Sequence, residues 1–119
     1  MFRASLAAMF AITAMTTPAK AEFAEIRSEE EFRIAVVGKK LTRPLVKLEV
    51  LSQGEIRGVG VSRDVTGKWT WIDGYFCREL NWGESDLGYN CQEVSIMPDR
   101  VRFTSDEGNG DSAVFRLND

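Results

Sequence analysis

The sequence predicts an α+β domain that is mostly β: one short N-terminal helix packed on a curled antiparallel sheet or small barrel of about seven strands. Two observations point there. Only one segment combines helix-start chemistry with an apolar stripe at helical spacing, and it comes first. The rest consists of short runs with apolar residues at alternate positions, divided by tight-turn sequences. Strands joined by tight turns leave no room for helical crossovers, so neighbours pair antiparallel. The chain has no internal repeat and no low-complexity segment.

The helix begins at Ser28. Ser28 with Glu31 three residues on is a capping-box pattern. Glu29, Glu30 and Glu31 favour the positive end of the helix dipole. Phe32, Ala35 and Val36 form one apolar stripe, and Gly38 is placed to end the helix. A helix of about nine or ten residues is not stable alone, so it must pack on the sheet.

The strands follow in order. Leu45 to Leu51 puts Val46, Leu48 and Val50 on one face, with Lys47 and Glu49 on the other. Gln53-Gly54 is a turn, and Ile56 to Val61 alternates again around Gly58 and Gly60. Asp64 to Gly67 reads as a loop. Lys68 to Ile72 and Tyr75 to Leu80 flank Asp73-Gly74, the strongest hairpin signal in the chain. Gln92 to Met97, Val101 to Thr104 and Ala113 to Leu117 complete the set. Pro98-Asp99 and the acidic stretch Asp106 to Asp111 supply the remaining turns.

A two-residue turn at Asp73-Gly74 fixes a register. Ile72 then faces Tyr75, Trp71 faces Phe76, Trp69 faces Arg78, and Lys68 faces Glu79. Trp69, Trp71, Phe76 and Arg78 share one face, while Thr70, Ile72, Tyr75 and Cys77 share the other.

Residues 1–21 are set apart from the fold. Arg3 precedes an apolar run from Ala4 to Met15, then Thr16, Thr17 and Pro18, then Ala19-Lys20-Ala21. This is the layout of a secretory signal cleaved after Ala21. The run is shorter than the ~20 residues a membrane span needs. Residues 22–119 are then expected to form a single exported domain, periplasmic or secreted, with no membrane span. Cleavage takes two of the 15 basic residues and none of the 18 acids, so the net charge of −3 becomes −5. An acidic chain without a basic stripe is not expected to bind nucleic acid.

Cys77 and Cys91 are the only cysteines, so connectivity is fixed if they pair. Export places them where disulfides persist. Closing a loop of about 15 residues stabilises the fold by about 3 kcal/mol.

The stretches Arg63 to Trp71, Gly74 to Arg78, Trp82-Gly83, Asn90-Cys91-Gln92, Arg102 to Asp106 and Gly110-Asp111-Ser112, with Val37-Gly38-Lys39 and Leu41-Thr42, carry a resemblance. Together they resemble a group of small exported alphaproteobacterial proteins without an established activity. Members often carry the name dihydrodipicolinate reductase. That name implies NAD(P)H bound on a Rossmann domain, which needs a strand, a Gly-rich turn and a helix in succession. Here Gly58 and Gly60 lie between apolar strand residues, and Gly38 follows a helix instead of opening one. The paired histidines of such a reductase have no counterpart in a chain without His. The resemblance thus implies a family, and no mechanism comes with it.

The absence of His also removes Ser-His-Asp catalysis and His-ligated metals. Ser–Lys catalysis through Lys39, Lys40, Lys47 or Lys68 has no supporting motif, and a carboxylate pair is uninformative among so many acids. Asp106 to Asp111 lacks the closing Glu of a calcium loop. No catalytic residue, cofactor or metal is assigned, and a non-enzymatic role is expected.

Two binding readings remain. In the first, the segment 78–90 is a loop closed by the disulfide. It presents Arg78, Trp82, Asp86 and Tyr89 to a protein or envelope component, or else folds Trp82 and Tyr89 back as a cap on the barrel. In the second, Trp69, Trp71, Phe76 and Arg78 line a pocket for a small ligand.

Overall fold

The structure, a computed structural model, describes residue 11 and residues 22–119. The export signal read in residues 1–21 lies, apart from Ala11, outside the described residues. The elements run β1 (Ala24–Ile26), α1 (Glu29–Ala35), β2 (Lys40–Arg43), β3 (Val46–Val50), β4 (Glu55–Gly60), β5 (Arg63–Ile72) and β6 (Tyr75–Trp82). They continue with β7 (Ser85–Met97), β8 (Arg100–Thr104), α2 (Ser105–Gly108) and β9 (Ser112–Asn118). No helix among the described residues is long and apolar enough to cross a membrane.

Strands β2 to β9 pair in sequence order, each antiparallel to the next, and β9 returns to pair with β2. The result is a closed up-and-down barrel of eight strands, the small-barrel form of the predicted α+β class. Closure leaves no sheet edge along the paired positions. β1 adds three residues to β7 beyond the end of β6, through Ala24, Glu25 and Ile26 opposite Ile96, Ser95 and Val94.

The hairpin register is the one the Asp73-Gly74 turn predicts. Trp69 pairs with Arg78, Trp71 with Phe76 and Ile72 with Tyr75. Both turn residues have positive φ, 51° and 87°, as this tight hairpin requires. Elsewhere the strands run further than expected. Asp64 to Gly67, read as a loop, is the first part of β5 and pairs with β4. Two strands went unread: β1, and β2, where Leu41 is the only buried residue.

Glycines shape the wall. Gly58 and Gly67 face Leu48 and Ile56 in the ladder. A Cβ at Gly58 would run into the Lys47 carbonyl oxygen, and one at Gly67 into that of Glu79. The strands coil tightly there because nothing but hydrogen occupies the inner pleat.

Helix α1 closes one end of the barrel. Ser28 caps it, its hydroxyl accepting from the Glu31 N–H at 3.2 Å. Phe32 and Val36 are fully buried. The Phe32 ring lies 4.9 Å from Trp71, 5.1 Å from Phe76 and 5.3 Å from Trp69 between centroids. Trp71 Nε1 donates to the Arg27 carbonyl (3.1 Å), and Trp69 Nε1 to the Leu51 carbonyl (2.9 Å). Arg33 covers the outer face of Trp69 and donates to the Ser52 carbonyl at 2.9 Å. The helix is therefore held from both sides, which its short length demands.

The Phe32→Ala variant is expected to lose about 3–5 kcal/mol, since it empties the centre of this cluster. Urea denaturation read by tryptophan fluorescence measures the loss; a change below about 1 kcal/mol would show that the helix does not anchor the barrel. A second test concerns the β4–β5 turn, where Val61 and Ser62 both sit at positive φ (46° and 65°). A β-branched residue is strained there. Replacing the pair by Asn-Gly is expected to raise stability by about 1 kcal/mol in the same assay.

Candidate functional site

The barrel interior is divided in two. The half next to α1 is filled by Phe32, Trp69, Trp71 and Phe76. The other half holds a cavity of about 260 Å³. Its wall is apolar: Leu41 from β2, Leu48 and Val50 from β3, Ile56 from β4, Phe76 and Leu80 from β6, Phe103 from β8, and Ala113 and Phe115 from β9. Five polar residues come from β6, β7 and the stretch running from α2 to the start of β9. They are Arg78, Gln92, Ser105, Asp111 and Ser112.

Ser105, Asp111 and Ser112 lie at the end of the barrel away from α1, whereas Arg78 and Gln92 stand opposite Trp69 and Phe76 in the ladder. β7 pairs with β8 only from Glu93 onward, whereas β6 runs beside it back to Ser85. The stretch of β7 before Glu93 therefore has no paired strand on its β8 side, and α2 packs against it. Side chains from β7 reach the turn α2 instead. Asn90 Nδ2 donates to Asp106 Oδ1 at 2.7 Å, and the Asp106 N–H donates to Asn90 Oδ1 at 3.0 Å. Gln92 Nε2 donates to Ser105 Oγ at 3.3 Å.

Arg78 is the basic group of the cavity. It sits on the inward face of β6 between Phe76 and Leu80, and is half-buried. Burial pushes its guanidinium below the ordinary arginine value. Its Nη1 donates to the Gly88 carbonyl at 2.9 Å. The ion pairs of the described residues are Arg27–Glu25, Arg33–Glu29 and Arg57–Glu49, and Arg78 belongs to none of them. The acid lining the same cavity, Asp111, is exposed at the rim.

The residues read as a pocket face separate accordingly. Phe76 and Arg78 line the cavity, whereas Trp69 and Trp71 lie under α1. Leu41, Leu48, Gln92, Phe103 and Ala113 join them there without having been singled out. The alternation of β3 already put Leu48 on one face with Val46 and Val50, but which residues meet across a barrel depends on its closure.

The segment 78–90 is not a loop. It is the lower part of the β6–β7 hairpin, turned at Gly83-Glu84. Cys77 and Cys91 sit directly opposite each other in the ladder and form the disulfide. A bulge interrupts the register at Leu80/Asn81. Asp86 shapes it, accepting from the Gly88 N–H at 2.7 Å, and Gly88 takes positive φ (79°). Trp82 is half-buried: its Nε1 donates to the Gly60 carbonyl at 2.6 Å, and Arg63 stacks 4.5 Å from its ring centroid. Tyr89 is 63% exposed and Leu87 53%. Asp86 and Trp82 thus have structural work in the hairpin, while Tyr89 faces solvent. Among the described residues, no cluster of acids or cysteines is arranged to hold a metal ion.

Comparison with protein-family models, with curated proteins and with solved structures finds no match for this chain.

The two aromatic residues of the hairpin are expected to behave differently. Trp82→Ala loses a hydrogen bond and a stacked contact, and stability should fall by about 2 kcal/mol or more. Tyr89→Ala should stay within about 0.5 kcal/mol of the parent. Thermal unfolding of the two variants side by side checks the contrast, and equal effects would contradict the assignment.

Proposed function

We propose that the protein is a non-enzymatic small-ligand carrier of an oxidising, exported compartment, with its site in the barrel lumen. The cavity carries this reading. An eight-stranded barrel is at the size where side chains either fill the interior or leave room for one small ligand. Here the part next to α1 is filled and the rest leaves a cavity with mostly apolar walls and a few polar groups. That combination is the general form of a small-molecule site. At about 260 Å³ the space lies just below the range of about 300–1,000 Å³ usual for such sites. The disulfide suits a compartment outside the cytoplasm, and it fastens the hairpin that bears Arg78.

A second reading has one observation in its favour. Leu87 and Tyr89 are exposed on the part of β7 that lacks a β8 neighbour. They would serve contact with a protein or envelope component through the 78–90 hairpin. The lumen reading has the stronger support, because it explains an apolar cavity together with a charged group turned inward.

Titration calorimetry with 1-octanol and with octanoate tests the carrier. Saturable binding of at least one is expected, and Ala113→Phe, which projects a ring into the cavity, should abolish it while leaving the circular dichroism unchanged. Binding that survives in the Ala113→Phe variant would place the ligand elsewhere.

A further inference from the structure

We infer that Arg78 is the receptor for an anionic ligand head, so that the barrel takes a free single-chain carboxylate with its chain in the lumen. This rests on the carrier reading and adds the chemical class of the ligand.

The argument begins with the position of the charge. Arg78 stands between Phe76 and Leu80 on the inner face of β6, with Ile56, Phe103 and Phe115 also lining the space. Water is a better solvent for a guanidinium than such walls, so turning it inward is unfavourable without a partner. Burial depresses its pKa, yet an arginine remains protonated in proteins. The group is therefore a permanent, partly desolvated cation.

Among the described residues no acid pairs with Arg78, and Asp111, the acid on the same lining, is exposed at the rim. Arg78 spends Nη1 on the Gly88 carbonyl. A guanidinium has five N–H donors in a planar fork, which matches a carboxylate in bidentate geometry. Bonding to Gly88 fixes the plane of the fork and leaves donors for a ligand.

The surroundings extend the match. Gln92 and Ser105 lie on the same lining, and Ser105 Oγ already accepts from Gln92 Nε2. Its own hydroxyl proton is then free to donate to a second oxygen. The rest of the lining, Phe76 and Leu80 beside Arg78 included, is apolar and suited to a hydrocarbon chain. The volume of about 260 Å³ suits one short chain and is too small for a two-chain lipid.

The test compares octanoate with 1-octanol on the unmodified protein by titration calorimetry. The chains match and only the head differs. Octanoate is expected to bind about tenfold tighter or more, the factor that a charge-assisted bond supplies. Raising the salt concentration should weaken octanoate and leave octanol unchanged. In Arg78→Met the preference should collapse to within about threefold, with octanol retained. Because Arg78 also holds Gly88, the comparison on the unmodified protein decides, and it needs no variant to fold. Equal affinities, or tighter octanol, would overturn the role of Arg78 and leave the carrier standing. If neither ligand binds, the carrier reading and this inference fall together.

Discussion

The ring of Phe32 stands among Trp69, Trp71 and Phe76 at the helix end of the barrel, and the remaining strands are organised around that contact. Buried aromatic rings remove about 150–250 Å² each from water, a large share of the hydrophobic drive of a small domain. Four of them in one place give the core a heavy end. The two indole N–H groups find carbonyls at Arg27 and Leu51, on either side of the helix, so the same side chains that fill the space also position the plug. The opposite end has no comparable element. Ala113 and the half-buried Leu48 and Leu80 border the cavity there beside Phe103 and Phe115.

That asymmetry relates the glycines to the cavity. Gly58, Gly60 and Gly67 sit where β3, β4 and β5 coil, and at Gly58 and Gly67 a side chain would strike the neighbouring strand's backbone. A barrel that coils sharply with few residues has a narrow interior, which one helix-borne Phe can stop. Trp82 closes the wall at the far end of the same coil, with its N–H on the Gly60 carbonyl. The disulfide acts on the next hairpin, joining β6 to β7 just above the bulge. Closure by β9–β2 then holds the whole without an exposed ladder along the paired positions.

Much of this architecture was legible from local chemistry. The Asp73-Gly74 turn specified a register because a two-residue turn at positive φ leaves only one pairing. Ser28 and the Phe32–Val36 stripe specified the helix and its buried face. The losses also have physical reasons. β2 carries one buried side chain in a polar run, and only pairing with β3 and β9 makes it a strand. Residues 78–90 hold Gly83, Gly88 and several polar groups, which break the period-two signal. Their extended form comes from the disulfide and from β6, and the Asp86–Gly88 bulge absorbs the extra residue. The inward turn of Arg78 followed from the register. That Trp69 and Trp71 leave the pocket to others followed only from the docking of α1, a tertiary event.

The wall beside the cavity is interrupted where the β7–β8 ladder ends. If β8 had continued beside β7 through Asn90, a ladder at the usual spacing of about 4.8 Å would have sealed the wall. Instead the chain leaves β8 at Thr104 and turns, with Asp106 and Glu107 both at positive φ (54° and 55°). Such a conformation is unfavourable for two consecutive non-glycine residues and needs support from its surroundings. The support is the Asn90 amide, which bonds both the backbone N–H and the carboxylate of Asp106. Asn90 thus replaces backbone pairing with a longer side-chain link. It satisfies the turn where the ladder has ended, and its partner in the β6–β7 ladder is Arg78. The placement of the charge and the interruption of the wall are two results of one register.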